Sequence, residues 1–189
     1  MSPGKSVLIT LFAAILILFA LYSAYPVYTQ FSQQMRFYAI GDELENALSR
    51  NDKEAVNRLA SEYLALADNQ KNDRNYGNAI HDANEALGIV ALRENDLEKA
   101  DQYLIKTGKT PGSPQLNSIG PKLELADALL KRGENDVVVE HLRLISRFWD
   151  PGRGKQCLPA VIRFIERGKQ PSLNALFLFD ECDNRSDRL

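Results

Sequence analysis

Two hydrophobic patterns divide the chain. No charged residue occurs from 6 to 35, and residues 7–25 (VLITLFAAILILFALYSAY) are apolar with hardly a break. As a helix this stretch is about 28 Å long, at ~1.5 Å per residue, which matches a hydrocarbon core of ~30 Å. A lone segment in lipid must satisfy its own backbone hydrogen bonds, so a transmembrane helix is expected. From residue 42 onward the pattern changes. Apolar residues recur every three or four positions between charged ones, the period of a helix with one buried face.

That period predicts helices over 42–50 (Leu44, Ala47 and Leu48 on one face, Asp42 as cap), 53–68 (Val56, Leu59, Ala60, Tyr63, Leu64), 76–93 (Ile80, Ala83, Leu87, Val90, Ala91) and 97–107 (Leu97, Ala100, Tyr103, Leu104). Others are expected over 121–133, over 134–149 (Val138, Leu142, Ile145, Trp149) and over 158–167 (Val161, Ile162, Ile165), with a short apolar element at 171–179. Asn51-Asp52, Asn95-Asp96 and Gly133-Glu134 break the pattern about every 40 residues. Asn51-Asp52 and Asn95-Asp96 each break one helix and cap the next. The polar run 69–75 reads as a loop. Residues 108–121 form a longer one, with glycines at 108, 112 and 120 and prolines at 111, 114 and 121. Pro121 is expected to open the fifth of the repeat helices, and Pro26 to kink or end the first helix. No strand pattern of useful length occurs, so the fold class is all-α.

The chain therefore divides into an anchor (1–25), a juxtamembrane segment (26–41) rich in Tyr28, Phe31, Phe37 and Tyr38, helical repeats (42–149), C-terminal capping helices (150–179) and a polar tail (180–189). A cleaved signal peptide is the competing reading of the first segment. The apolar stretch is long for a signal, however, and Tyr22 stands where a cut after Ala24 wants a small residue. Lys5 flanks one side of the span, and no basic residue follows on the other until Arg36. Positive charge favours the cytoplasm, so the bulk of the chain is expected outside it, in the periplasm beyond an inner membrane if the source is bacterial.

Composition adds exclusions. With 44% hydrophobic residues the chain is too apolar for disorder, and a net charge of -2 argues against a nucleic-acid partner. Cys157 and Cys182 are the only cysteines; exported, they can pair, and no histidine stands near them to complete a zinc site.

The three breaks resemble the tetratricopeptide repeat in their setting. Leu87-Gly88, Ala91, Asn95-Asp96, Ala100, Leu104 and Thr107 fall at that family's spacing, and Leu125-Ala126, Leu129, Gly133, Val138, Leu142 and Ile145 give a second copy. Around 44–63 only the turn and the periodicity remain. The resemblance covers about 42–149. It departs from the family in the long 108–121 linker and in Asn84, where an aromatic residue is usual. The segment from Gly77 through TPGSPQLNS to Phe148-Trp149 is also similar to uncharacterised bacterial single-pass membrane repeat proteins, a likeness that implies no activity.

The family resemblance implies antiparallel helix hairpins stacked into an α-solenoid, whose groove binds a protein or peptide. The groove positions correspond here to Asp82, Glu85, Ile89, Arg93, Asp127 and Lys131. A membrane-anchored adaptor is the functional expectation, with no enzyme activity, cofactor or metal. Two alternatives stand beside it: a small-molecule binder or enzyme using His81 and the 108–121 loop, and a purely structural subunit of an envelope assembly. Gly108-Lys109-Thr110 lacks the glycine a phosphate loop needs five residues earlier, where Tyr103 stands. His81 is expected to contact the adjacent linker, and His141 to be solvated on a helix flank.

Overall fold

The computed structural model describes residues 3–149 and 157–173, with side chains from residue 12. It is all-helical among the described residues, with helices α1 (Pro3–Ser49), α2 (Lys53–Asp68), α3 (Tyr76–Arg93), α4 (Leu97–Gly108), α5 (Pro114–Ser118), α6 (Glu124–Leu130), α7 (Asn135–Ile145) and α8 (Cys157–Glu166). The chain falls into two units, Met1–Ala39 and Ile40–Leu189.

The described residues of the first unit all belong to α1. Residues from Phe12 onward are long and apolar enough to cross a membrane, with a mean hydropathy of 1.7 in the best window. Phe12, Ile15, Leu16, Ile17, Leu18, Phe19 and Leu21 are all more than half exposed, so apolar side chains face outward on every side of the helix. A helix apolar all round belongs in lipid or in a core.

α1 corrects one expectation: no new helix begins at Asp42. Pro26, expected to kink or end the first helix, lies inside it and does not end it. A proline removes one backbone bond, and the Ser23 and Thr29 hydroxyls bond back to the carbonyls of Phe19 (2.7 Å) and Pro26 (2.8 Å) on either side of it. Gly41 lies against α2: a Cβ there would touch the Tyr63 hydroxyl at 3.4 Å.

In the second unit the hairpin turns form where the sequence breaks. Asn51 (φ 57°), Asn95 (φ 62°) and Gly133 (φ 90°) take the left-handed conformation. In each turn the next amide reaches back five residues: Asp52 N to Ala47 O (3.0 Å), Asp96 N to Ala91 O (2.9 Å) and Glu134 N to Leu129 O (3.1 Å). This 6→1 bond is the Schellman closure. The same aspartates then cap the following helix, Asp52 accepting from Ala55 N (3.0 Å) and Asp96 from Lys99 N (3.1 Å). A fourth turn of this kind closes α8 at Gly168 (φ 74°), with Lys169 N on Phe164 O.

Successive turns are tied together. Arg93 donates to Leu48 O (3.1 Å) and Asn51 Oδ1 (2.9 Å), Arg132 donates to Asn95 Oδ1 (2.9 Å), and Lys53 pairs with Glu94. α3 packs on α2, α4 and α6, while α7 packs on α4, α6 and α8. Leu104, Leu125, Leu129, Leu142, Ile145, Leu158 and Ile165 share one continuous core along these helices. Each such side chain contributes about 1.5–3 kcal/mol by leaving water.

The 108–121 segment differs from the expected loop and helix. Ser113 caps the short α5 through Leu116 N (2.9 Å), with Pro114 in its first turn. Pro121 starts no helix; α6 begins at Glu124. α7 ends at Ile145, before Trp149, and α8 begins at Cys157. The element expected over 171–179 lies outside the described residues beyond Leu173, as does the 180–189 tail.

Candidate functional site

α3 is the central helix of the second unit, and it buries polar side chains that an amphipathic helix would normally expose. His81 (0%), Asn84 (5%) and Glu85 (2%) are all buried. Their partners come from the segment leading into α6. Lys122 N donates to His81 Nε2 (3.1 Å), and Leu125 N donates to Glu85 Oε1 (2.8 Å). Leu125 lies in the first turn of α6, whose own cap residue Leu123 supplies no side-chain bond. The Glu85 carboxyl thus caps a helix from across the fold, satisfying an amide the helix leaves open.

The linker is braced to the start of α3 as well. Thr110 Oγ1 donates to Gly77 O (2.8 Å), Ser113 Oγ to Asn78 Oδ1 (2.5 Å), and Asn78 Nδ2 to Gln115 Oε1 (3.2 Å). The approach is so close that a Cβ on Gly77 would lie 1.8 Å from the Gly112 carbonyl oxygen.

Because His81 accepts at Nε2, its proton sits on Nδ1. That nitrogen has no partner in hydrogen-bonding geometry, although the nearby Thr107 carbonyl favours its protonated form. His141 is the second buried ring. Thr107 Oγ1 gives its proton to Leu104 O (2.7 Å), so it accepts from His141 Nδ1 (3.2 Å), which also faces Leu104 O (3.1 Å). The expectation that His141 is solvated is therefore corrected: it is 0% exposed, on the face of α7 that meets α4. Burial pushes both rings down, His81 to about 3 and His141 to about 4, and both are neutral near pH 7. With His81 enclosed, neither ring nitrogen is open to a ligand.

A cleft opens beside this network, lined by Gly41, Leu44, Glu45 and Leu48 of α1, Asp82, Glu85, Ala86 and Ile89 of α3, and Lys122 and Glu124. Its volume is about 60 Å³, room for a few water molecules and far below the ~300–1,000 Å³ of a small-molecule pocket. Carboxylates dominate it. Lys122 Nζ is held by Glu45 Oε2 at 2.8 Å. Desolvation pushes the Asp82 carboxyl up to about 6 against the pull of Lys122, and Glu85 up to about 8 against the bond from the Leu125 amide. Glu85 Oε2 is buried without a hydrogen-bond partner.

Of the six groove positions expected from sequence, the cleft brings together Asp82, Glu85 and Ile89. Arg93 is tied to the turn at Asn51 instead. Asp127 accepts from Leu173 N (2.9 Å) and pairs with Lys131 (2.6 Å), and neither residue lines the cleft. Glu45, Lys122 and Glu124 escaped the sequence reading. The only available signal was Lys122 following Pro121, a basic residue fixed at the mouth of a helix. Among the described residues no cluster of three His, Cys, Asp or Glu side chains is arranged to hold a metal ion. A larger hollow of about 510 Å³ lies between α7 and α8, lined by Arg143 and Glu166, which pair at 2.6 Å. Cys157 is disulfide-bonded; Cys182 lies outside the described residues.

No family model, no curated protein and no solved structure matches the chain.

Proposed function

We propose that the chain is a membrane-anchored adaptor whose tetratricopeptide-like hairpins form a short α-solenoid and hold a protein or peptide in its groove. The observation that carries this reading is the cleft on the first helices of successive hairpins, where Asp82, Glu85 and Ile89 meet the end of α1 and the entry to α6. The tied turns at Asn51, Asn95 and Gly133 support the stacking. Residues 7–25 span the membrane, and the repeats stand outside the cytoplasm. The disulfide at Cys157 supports an oxidising compartment, where such bonds persist.

A photo-crosslinking residue at position 89 of the full-length protein, in its own membrane, tests the groove. Specific adducts from position 89 and none from position 58, on the exposed side of α2, are expected. Equal or absent adducts from both positions would remove the groove from the account.

A further inference from the structure

The cleft between α1, α3 and the entry to α6 has a composition that singles out one kind of visitor. Four carboxyl groups (Glu45, Asp82, Glu85 and Glu124) line it against one cation, Lys122. That cation is already taken up by Glu45 at 2.8 Å. Glu85 is 2% exposed, and only one of its oxygens is used, for Leu125 N; Oε2 is buried and unpartnered. A buried polar atom left unpaired is costly, so a positive donor that reached it would be favoured. The walls beside it are apolar: Leu44, Leu48, Ala86 and Ile89.

Resting on the groove reading above, we infer that this cleft receives a single primary ammonium group of the partner, held between Asp82 and Glu85. A volume of about 60 Å³ suits a compact ammonium with three rotatable donors. A guanidinium is planar, with five donors in a fixed fork, and suits it less. If the group is a lysine, its methylene stem lies along Leu48 and Ile89 while the head reaches the carboxylates, as long cationic side chains do elsewhere. If it is a chain N-terminus, the first side chain takes that place. Burial keeps an empty Glu85 protonated up to about pH 8, facing Asp82, Lys122 and Glu124. Entry of a cation therefore expels that proton, and capture tightens as pH rises from 6 to 8.

The test uses the full-length protein in neutral detergent micelles with methyl-labelled isoleucine, since the Ile89 side chain lines the cleft. n-Butylammonium chloride mimics a lysine side chain, glycinamide mimics an N-terminus, and sodium chloride at matched ionic strength is the control. At pH 7, a saturable shift of the Ile89 methyl with one of the two amines is expected, and the amine that gives it identifies the source. Sodium chloride gives none. Glu85→Gln keeps the Leu125 N bond but loses the charge, and weakens the response at least tenfold. With n-butylammonium the apparent affinity rises several-fold between pH 6 and 8. No saturable shift, or the same shift in Glu85→Gln or with sodium chloride, overturns the ammonium site. Crosslinking from position 89 that persists in Glu85→Gln would leave the groove standing while the ammonium site falls.

Discussion

Replacing Glu85 by Gln probes the buried carboxyl itself, apart from any ligand. The amide oxygen of glutamine still accepts from Leu125 N, so the shape is kept and only the titration is removed. In the unfolded chain this carboxyl ionises near 4.5, and in the folded protein burial moves it to about 8. Between these values the folded state holds a proton that the unfolded state has released. Stability from this group is therefore complete below pH 4.5 and is lost as pH rises toward 8. The full difference is about 5 kcal/mol at ~1.4 kcal/mol per pH step. Asp82, raised to about 6, acts in the same direction. His81 and His141 act oppositely: pushed down from 6.5 to about 3 and about 4, they cost stability as pH falls below 6.5. Their balance gives the wild type a maximum near pH 5.5–6 by the same linkage. Without Glu85 the alkaline limb vanishes and the maximum moves above about pH 7.5. At pH 8.5 the variant should melt on the order of 10 °C higher than the wild type, taking 2–4 °C per kcal/mol for a unit of this size. Trp149, the single tryptophan and 3% exposed, reports unfolding of the full-length protein in micelles by its fluorescence. Parallel pH profiles for the two proteins would refute the reasoning.

Other substitutions test the frame of the second unit, read by the same fluorescence transition. Gly77→Ala drives a methyl into the Gly112 carbonyl, 1.8 Å away with no side chain to yield, and should cost about 3 kcal/mol or more. Asp52→Ala and Asp96→Ala each remove a cap and should each cost about 1 kcal/mol. Asn95→Gly should change stability by less than about 1 kcal/mol, since glycine suits the φ of 62° while the exposed bond from Arg132 to Asn95 Oδ1 is lost. Asn95→Val should lose about 1–3 kcal/mol, since a branched side chain resists that conformation. Lys53→Ala breaks the surface pair with Glu94, both side chains being 47% exposed, and should leave the midpoint unchanged within error.

What the sequence disclosed was local. Asn51, Asn95 and Gly133 terminate helices through their own backbones, and Asp52 and Asp96 cap through amides three residues on, so both devices can be read from neighbouring letters. The same local reading failed at Asp42, where no helix starts. A helix of 47 residues runs through it because no competing turn is built there. The buried polar groups were illegible for the opposite reason. Glu85 and His141 find their partners 40 and 37 residues away, at Leu125 N and Leu104 O. Flanked by ordinary helical letters, each looked like a surface residue. Half of the expected groove positions meet in the cleft. Asp127 and Lys131 do not line it, and Asp127 is engaged by Leu173, 46 residues on.

The two-residue turns have a consequence for how this architecture tolerates change. Asn95 ends one helix and Asp96 begins the next, so no slack lies between them, and each helix inherits its rotational phase from the one before. One residue inserted there would swing the following helix by roughly 100°. Leu104 and Thr107 would leave their places, and the polar flank of α4 would turn inward. The stretch between α4 and α6 has length enough to take up such a slip, so viable insertions should collect there and be purged from the tight corners.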